Sequence, residues 1–240
     1  MSVTFEIVDD PARACAALMV SAASAGGDIV LSGGSTPKAA NEQFVAAVGA
    51  VGLDLSTTTL WLGDERCVEP DDDRSNYRMI KESLLDALPD PPRIHRIRGE
   101  LGPHEGAIDY ERVIDEADGA GGMRFDLMLV GIGPDGHTLS LFPGQPTINE
   151  RSHLMIGVPQ AGLEPFVPRV SMTLAAVALA RRVVLLASGE AKADAIAEAF
   201  GPGAEPDPAI PSSMLAVAAK DLTLLIDQAA ASKLSDRDRP

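Results

Sequence analysis

Residues 125–144 read FDLMLVGIGPDGHTLSLFPG, and this stretch decides how the chain folds. Its apolar run breaks at Gly133-Pro134, and Asp135, Gly136 and His137 follow at once. A short aliphatic run reads as a strand buried on both faces of a parallel sheet. Polar groups delivered by a turn directly after such a strand sit at its carboxyl edge, where open α/β sheets bind ligands. Histidine is the one side chain whose unperturbed pKa lies near neutral pH. His137 is therefore a candidate general base, and Asp135 either orients it or binds a ligand directly. Gly131, Gly133 and Gly136 permit the cramped backbone that this turn needs.

Working outward, short strands alternate with helices along the whole chain. Strands are expected at 3–8, 28–31, 59–62, 93–98, 125–130, 153–158, 169–172, 183–187 and 222–226. Asp10 and Pro11 supply an N-cap and a first-turn proline for an Ala-rich helix, which Gly26-Gly27 ends. Further helices are expected at 38–48, 76–88, 105–117, 173–180, 190–200 and 213–219, with a Gly-rich turn at 119–122 and a Pro/Gly-rich loop at 201–211. This alternation predicts a doubly wound, mostly parallel sheet with helices on both faces, a Rossmann-like three-layer α/β sandwich. No long linker divides it. Residues 1–231 read as one domain and 232–240 as a polar, frayed tail.

Composition narrows the function. Hydrophobic residues make up 45% and aromatic ones only 4%, so Ala, Val, Leu and Ile must fill the core. The net charge of −15 argues against nucleic-acid and anionic-membrane partners, both of which need a basic face. An anionic substrate then requires cations clustered locally against the overall field. Cys15 and Cys67 read as free thiols without metal-site company. Asp9 and Asp10 stand where a signal peptide needs a basic start, and no apolar run reaches ~18 residues. A cytoplasmic protein with no membrane span is expected.

Three further segments follow or open predicted strands. Leu31-Ser32-Gly33-Gly34-Ser35-Thr36-Pro37-Lys38 offers glycine amides, two hydroxyls and a helix start, which together form an anion cradle without P-loop spacing. Gly63-Asp64-Glu65-Arg66 places three charges after a strand. Arg66 presents a fork of donors to a phosphate or an oxyanion, and Asp64 or Glu65 can hold sugar hydroxyls. Ser75-Asn76 reads as a helix start, with a ligand role open for Asn76. Arg169 opens one strand, and Lys192 sits in the first turn of a helix, against its dipole, where a bound anion would explain it. Read individually, each segment also fits an ordinary capped turn or a solvated surface.

With these segments in place, the chain resembles the 6-phosphogluconolactonases of the glucosamine-6-phosphate isomerase/6-phosphogluconolactonase family. The resemblance is carried by LSGGSTP at 31–37, GDER at 63–66, SN at 75–76, GIGPDGHTLSLFPG at 131–144, PRVSMT at 168–173 and SGEAKADA at 188–195. Leu139 departs from the alanine common in the family. The related glucosamine-6-phosphate deaminases carry an acidic residue shortly after the motif histidine. Thr138-Leu139-Ser140-Leu141-Phe142 supplies none here, which favours the lactonase.

The resemblance implies hydrolysis of 6-phospho-D-glucono-1,5-lactone to 6-phosphogluconate, without metal or cofactor. Neutral His137 would take a proton from the attacking water and return it to the departing ring oxygen. Gly33, Gly34, Ser35, Thr36, Asp64, Arg66, Asn76, Arg169 and Lys192 form the candidate substrate-binding set, with Arg66 assigned either to the phosphate or to the oxyanion. The expected partner is the small sugar-phosphate lactone, and the expected state is a monomer or small homo-oligomer. Two rival readings are a glucosamine-6-phosphate deaminase-type isomerase and a non-catalytic sugar-phosphate-binding module.

Overall fold

The computed structural model describes residues 3–118, 122 and 124–234. The chain opens with β1 (Val3–Ile7) and α1 (Pro11–Ser24). Asp10 caps α1 by accepting the Arg13 N–H, as its position before Pro11 implies. Then come β2 (Asp28–Leu31), α2 (Ser35–Val51), β3 (Thr59–Leu62), β4 (Asp64–Arg66), α3 (Asn76–Ile80), β5 (Arg93–His95) and α4 (Pro103–Asp118). The second half runs β6 (Leu127–Val130), β7 (Met155–Val158), β8 (Arg169–Met172), α5 (Leu174–Val177), β9 (Arg182–Ala187), α6 (Ala193–Phe200), α7 (Leu215–Ala218) and β10 (Leu222–Ile226).

Seven strands form an all-parallel sheet in the order β1-β10-β9-β6-β2-β3-β5. From β2 the chain winds outward through β3 to β5, then returns to the other side of β2 and winds outward again through β6 and β9. The strand order therefore reverses between β2 and β6, which is the topological switch point at which such sheets bind ligands. Every residue of β6 is buried, as its uninterrupted apolar sequence requires. Each such side chain contributes about 1.5–3 kcal/mol on burial. Trp61, Tyr110 and Phe125 pack edge to face in the core, and the Trp61 indole N–H donates to Asp28 at 2.7 Å.

One expectation requires correction. The strands near 153–158 and 169–172 do not join the parallel sheet. As β7 and β8 they form a separate antiparallel sheet with β4, in the order β4-β8-β7. β4 is Asp-Glu-Arg, three charged residues with no apolar alternation, so nothing local marks it as a strand. Gly63 joins the two sheets: its N–H donates to the Leu31 carbonyl at 3.0 Å, and its carbonyl accepts from Met172 N–H at 2.8 Å.

Boundaries shift elsewhere. α2 starts at Ser35, earlier than expected, because Gly34 takes the cap position at φ 111°. The segment expected as one helix over 76–88 is α3 followed by a single π turn, Lys81–Leu85. Lys192 closes a 3₁₀ turn, Glu190–Lys192, that precedes α6. Leu234 lies in the expected frayed tail, yet it is 4% exposed and packs with Ala230 and Ala231 into the core. Residues 119–121 of the expected Gly-rich turn, and residues 235–240 of the tail, lie outside the described residues. Among the described residues, no helix is long and apolar enough to cross a membrane.

Candidate active site

A cleft of about 210 Å³ opens at the switch point. The β2–α2 loop lines one side with Ser32, Gly33 and Gly34, and the segment after β6 lines another with Gly131–Pro134 and His137. The small antiparallel sheet adds Asp64, Arg66 and Arg169, and Asn76, Ser140, Glu164 and Lys192 add further polar lining.

His137 is held on one side only. Its Nδ1 lies 2.6 Å from Asp135 Oδ1, and the same carboxylate oxygen accepts the His137 backbone N–H at 3.2 Å. Burial raises the Asp135 pKa, but the hydrogen bonds from His137 outweigh it and hold the carboxyl below its ordinary value. Asp135 is thus an anion at neutral pH, and an anion at Nδ1 keeps the ring proton there. Nε2 has no hydrogen-bond partner among the described residues. The imidazole is 18% exposed, and the Phe142 ring packs against it at 4.7 Å. The turn closes on itself through Gly133 N–H to His137 O at 2.8 Å. A Cβ at Gly133 would collide with the His137 ring, so only glycine fits.

The same cleft is lined by three cations with no ion-pair partner among the described residues: Arg66, Arg169 and Lys192. Arg66 and Arg169 are direct partners across the β4–β8 ladder, an arrangement that is unfavourable for like charges. Arg169 is 3% exposed, and its Nε is buried without a partner, as is Arg66 Nε. Burial, followed by the charge of Arg66, pushes the Arg169 pKa down to about 10. Arg169 is anchored to the Pro165 carbonyl and Arg66 to the Arg74 carbonyl, at 2.7 and 2.5 Å. Burial also lowers the Lys192 pKa, against the opposing pull of Asp135. Cations that are buried or half-buried without an ion-pair partner among the described residues are costly, and an anion in the cleft would relieve that cost.

The two acids after Gly63 separate sharply. Glu65 is 2% exposed and accepts from the N–H groups of Arg66, Asn76 and Tyr77 and from the Ser75 hydroxyl, at 2.6–3.0 Å. Burial pushes its pKa up in spite of these bonds. It holds the start of α3 and does not face the cleft. Asp64 does face it, accepting from Ser140 Oγ at 2.6 Å and Asn76 Nδ2 at 3.2 Å. Ser35 and Thr36 open α2 beside the cleft without lining it. Among the described residues the lining hydroxyls are those of Ser32 and Ser140.

Ser140 and Phe142 stand within the SLFPG run, but sequence alone attaches no role to them. Leu163 and Glu164 reach the cleft from a loop without periodicity, so no local pattern points to them.

The fold and the cleft together define a three-layer α/β protein with a cation-lined cleft beside an acid-oriented histidine. The chain belongs to the glucosamine-6-phosphate isomerase/6-phosphogluconolactonase family, whose model matches residues 6–224. It is 34% identical to the 6-phosphogluconolactonase of Streptomyces coelicolor over 217 residues, covering 86% of this chain and 81% of that one. It is 35% identical to the 6-phosphogluconolactonase of Homo sapiens over 208 residues, covering 85% and 80%. The solved structure of the devB protein superposes with a TM-score of 0.84 at 30% identity, covering 98% of this chain and 100% of that one.

Proposed function

We propose that this protein hydrolyses 6-phospho-D-glucono-1,5-lactone to 6-phospho-D-gluconate in the oxidative pentose phosphate pathway, in the cytoplasm. The observation that carries this reading is the pairing of an Asp135-held His137 with three unpaired cations in one sugar-sized cleft. Arg66, Arg169 and Lys192, with the amides of Gly33 and Gly34, take the 6-phosphate. That anchor holds the ring so that its carbonyl carbon meets His137.

Neutral His137 accepts a proton at Nε2 from the water that attacks C1. The imidazolium that forms is stabilised by Asp135, then donates the proton to the ring oxygen as the C1–O bond breaks. Proton transfer of this kind contributes about 10²–10⁴ in rate. Asp64 keeps lone pairs free for sugar hydroxyls alongside its bonds to Ser140 and Asn76, and Asn76 adds an amide.

The test is freshly prepared lactone with the product followed by coupled oxidation. Turnover well above spontaneous hydrolysis is expected. Ammonia release from glucosamine 6-phosphate, or binding of 6-phosphogluconate with no turnover, would replace this reading by one of its two rivals.

A further inference from the structure

The mechanism leaves three buried hydroxyl residues near the catalytic turn, Thr138, Ser140 and Ser171, without a role. The chain reverses over Thr138–Leu141, closed by Leu141 N–H to Thr138 O at 2.9 Å. Leu139, at its first central position, has φ 53°, a left-handed conformation that a branched side chain adopts only at a cost. Neighbouring structure must impose it.

The constraint comes from both ends. At the entry, Thr138 Oγ1 donates to the Gly131 carbonyl at 2.8 Å. At the exit, Ser140 is gripped twice. Its N–H donates to Ser171 Oγ on β8 at 3.0 Å, and its Oγ–H donates to Asp64 on β4 at 2.6 Å. Ser140 is 2% exposed and Ser171 is fully buried, so water does not compete for these bonds. The Leu139 side chain lies so close to Gly63 that a Cβ there would stand 2.9 Å from it. The reversal also brings Phe142 back against the His137 ring.

We propose that Ser140 is a positioning residue: clamped between Asp64 and Ser171, it holds the strained turn at Leu139 and so sets His137 and Phe142 against the cleft. The inference rests on the lactonase reading for its kinetic test only. The clamp also ties the catalytic turn to the sheet that carries Arg66 and Arg169. Base and phosphate site are thereby fixed relative to each other across two sheets.

Ser140→Ala is expected to lower kcat about tenfold with KM within twofold, at a temperature well below its Tm, because the phosphate cradle is untouched. Glycine adopts positive φ freely, so the Ser140→Ala effect should shrink to threefold or less in a Leu139→Gly background. Should Ser140→Ala not fold, Ser171→Ala removes one half of the clamp and should show the same loss confined to kcat. A kcat within twofold of wild type overturns the proposal. So does a raised KM at constant kcat, which would make Ser140 a direct substrate ligand. If the wild type lacks lactonase activity, the proposed function fails and NMR of the His137 ring alone decides this inference. Loss of the Asp135-bonded Nδ1–H signal in the alanine variant supports it, and an unchanged signal overturns it.

Discussion

Asp135 Oδ1 and His137 Nδ1 lie 2.6 Å apart, and that single contact divides the imidazole into a tethered nitrogen and a free one. The tethered side fixes ring orientation and tautomer. The free side is available to a water. Replacing His137 with Asn preserves size and polarity but removes the base. A fall in kcat of about two orders of magnitude is expected, with KM nearly constant. Near wild-type turnover, after subtraction of spontaneous hydrolysis, would remove His137 from the mechanism.

Asp135→Asn tests the tether separately. The amide can still hydrogen-bond Nδ1, but it neither enforces the tautomer nor stabilises the imidazolium. Turnover should fall at least about tenfold while 6-phosphogluconate binds as before. Weakened binding with intact turnover would instead place Asp135 on the sugar.

The cations should govern affinity. Charge-assisted hydrogen bonds contribute about 1.5–3 kcal/mol, so Lys192→Ala or Arg169→Ala should raise KM by about ten- to a hundredfold. Lys192 binds an anion only while protonated, and burial has lowered its pKa below the ordinary 10.5. Calorimetric affinity for 6-phosphogluconate should therefore weaken with rising pH before an ordinary lysine would titrate. A Lys192→Ala variant that shows the same alkaline loss would assign it to another group.

Gly33 lies where a Cβ would strike the Asn76 side-chain amide. Gly33→Ala must displace Asn76, and with it a donor to Asp64, or move the cradle loop. A destabilisation of about 1–3 kcal/mol is expected together with a raised KM. Unchanged values for both would mean that the loop yields freely.

The only tryptophan, Trp61, stacks on His95 with ring centroids 4.3 Å apart, far from the catalytic turn in sequence. Burial, then the charge of Arg93, lowers the His95 pKa below its ordinary 6.5, with Asp28 opposing. The unfolded chain thus takes up the proton first as pH falls. His95 supports the fold fully above 6.5, and that support is lost as pH drops through the lower folded-state value. Trp61 emission should titrate with the same midpoint and cease to do so in His95→Asn. A midpoint above 6.5 would contradict this assignment.

Much of this was legible in the chain itself. The aliphatic runs at 28–31, 59–62 and 222–226 appear as strands with those bounds, because a strand buried on both faces needs no more than its own apolar residues. The turn at Asp135-Gly136-His137 was equally visible, since its geometry is set within a few residues. β4 was not, because its three charged residues form a strand only when β8 supplies the hydrogen bonds. Glu65 was open to a sugar-binding role until its four donors, the Arg66 N–H on β4 and the Ser75 hydroxyl, Asn76 N–H and Tyr77 N–H at the start of α3, accounted for it.

Hydrophobic pattern, glycine placement and turn chemistry act over short spans, so the amino-acid order alone determined the strands of the parallel sheet, the α/β class and the motif histidine. Which charges meet is a question of distance in space. The pairing of β4 with β8 set Arg66 beside Arg169, and the packing of the small antiparallel sheet onto the parallel one turned Asp64 toward Ser140 and placed these charges in one cleft with His137. Contacts between residues tens of positions apart depend on how two sheets dock, and no local stretch of chain encodes that.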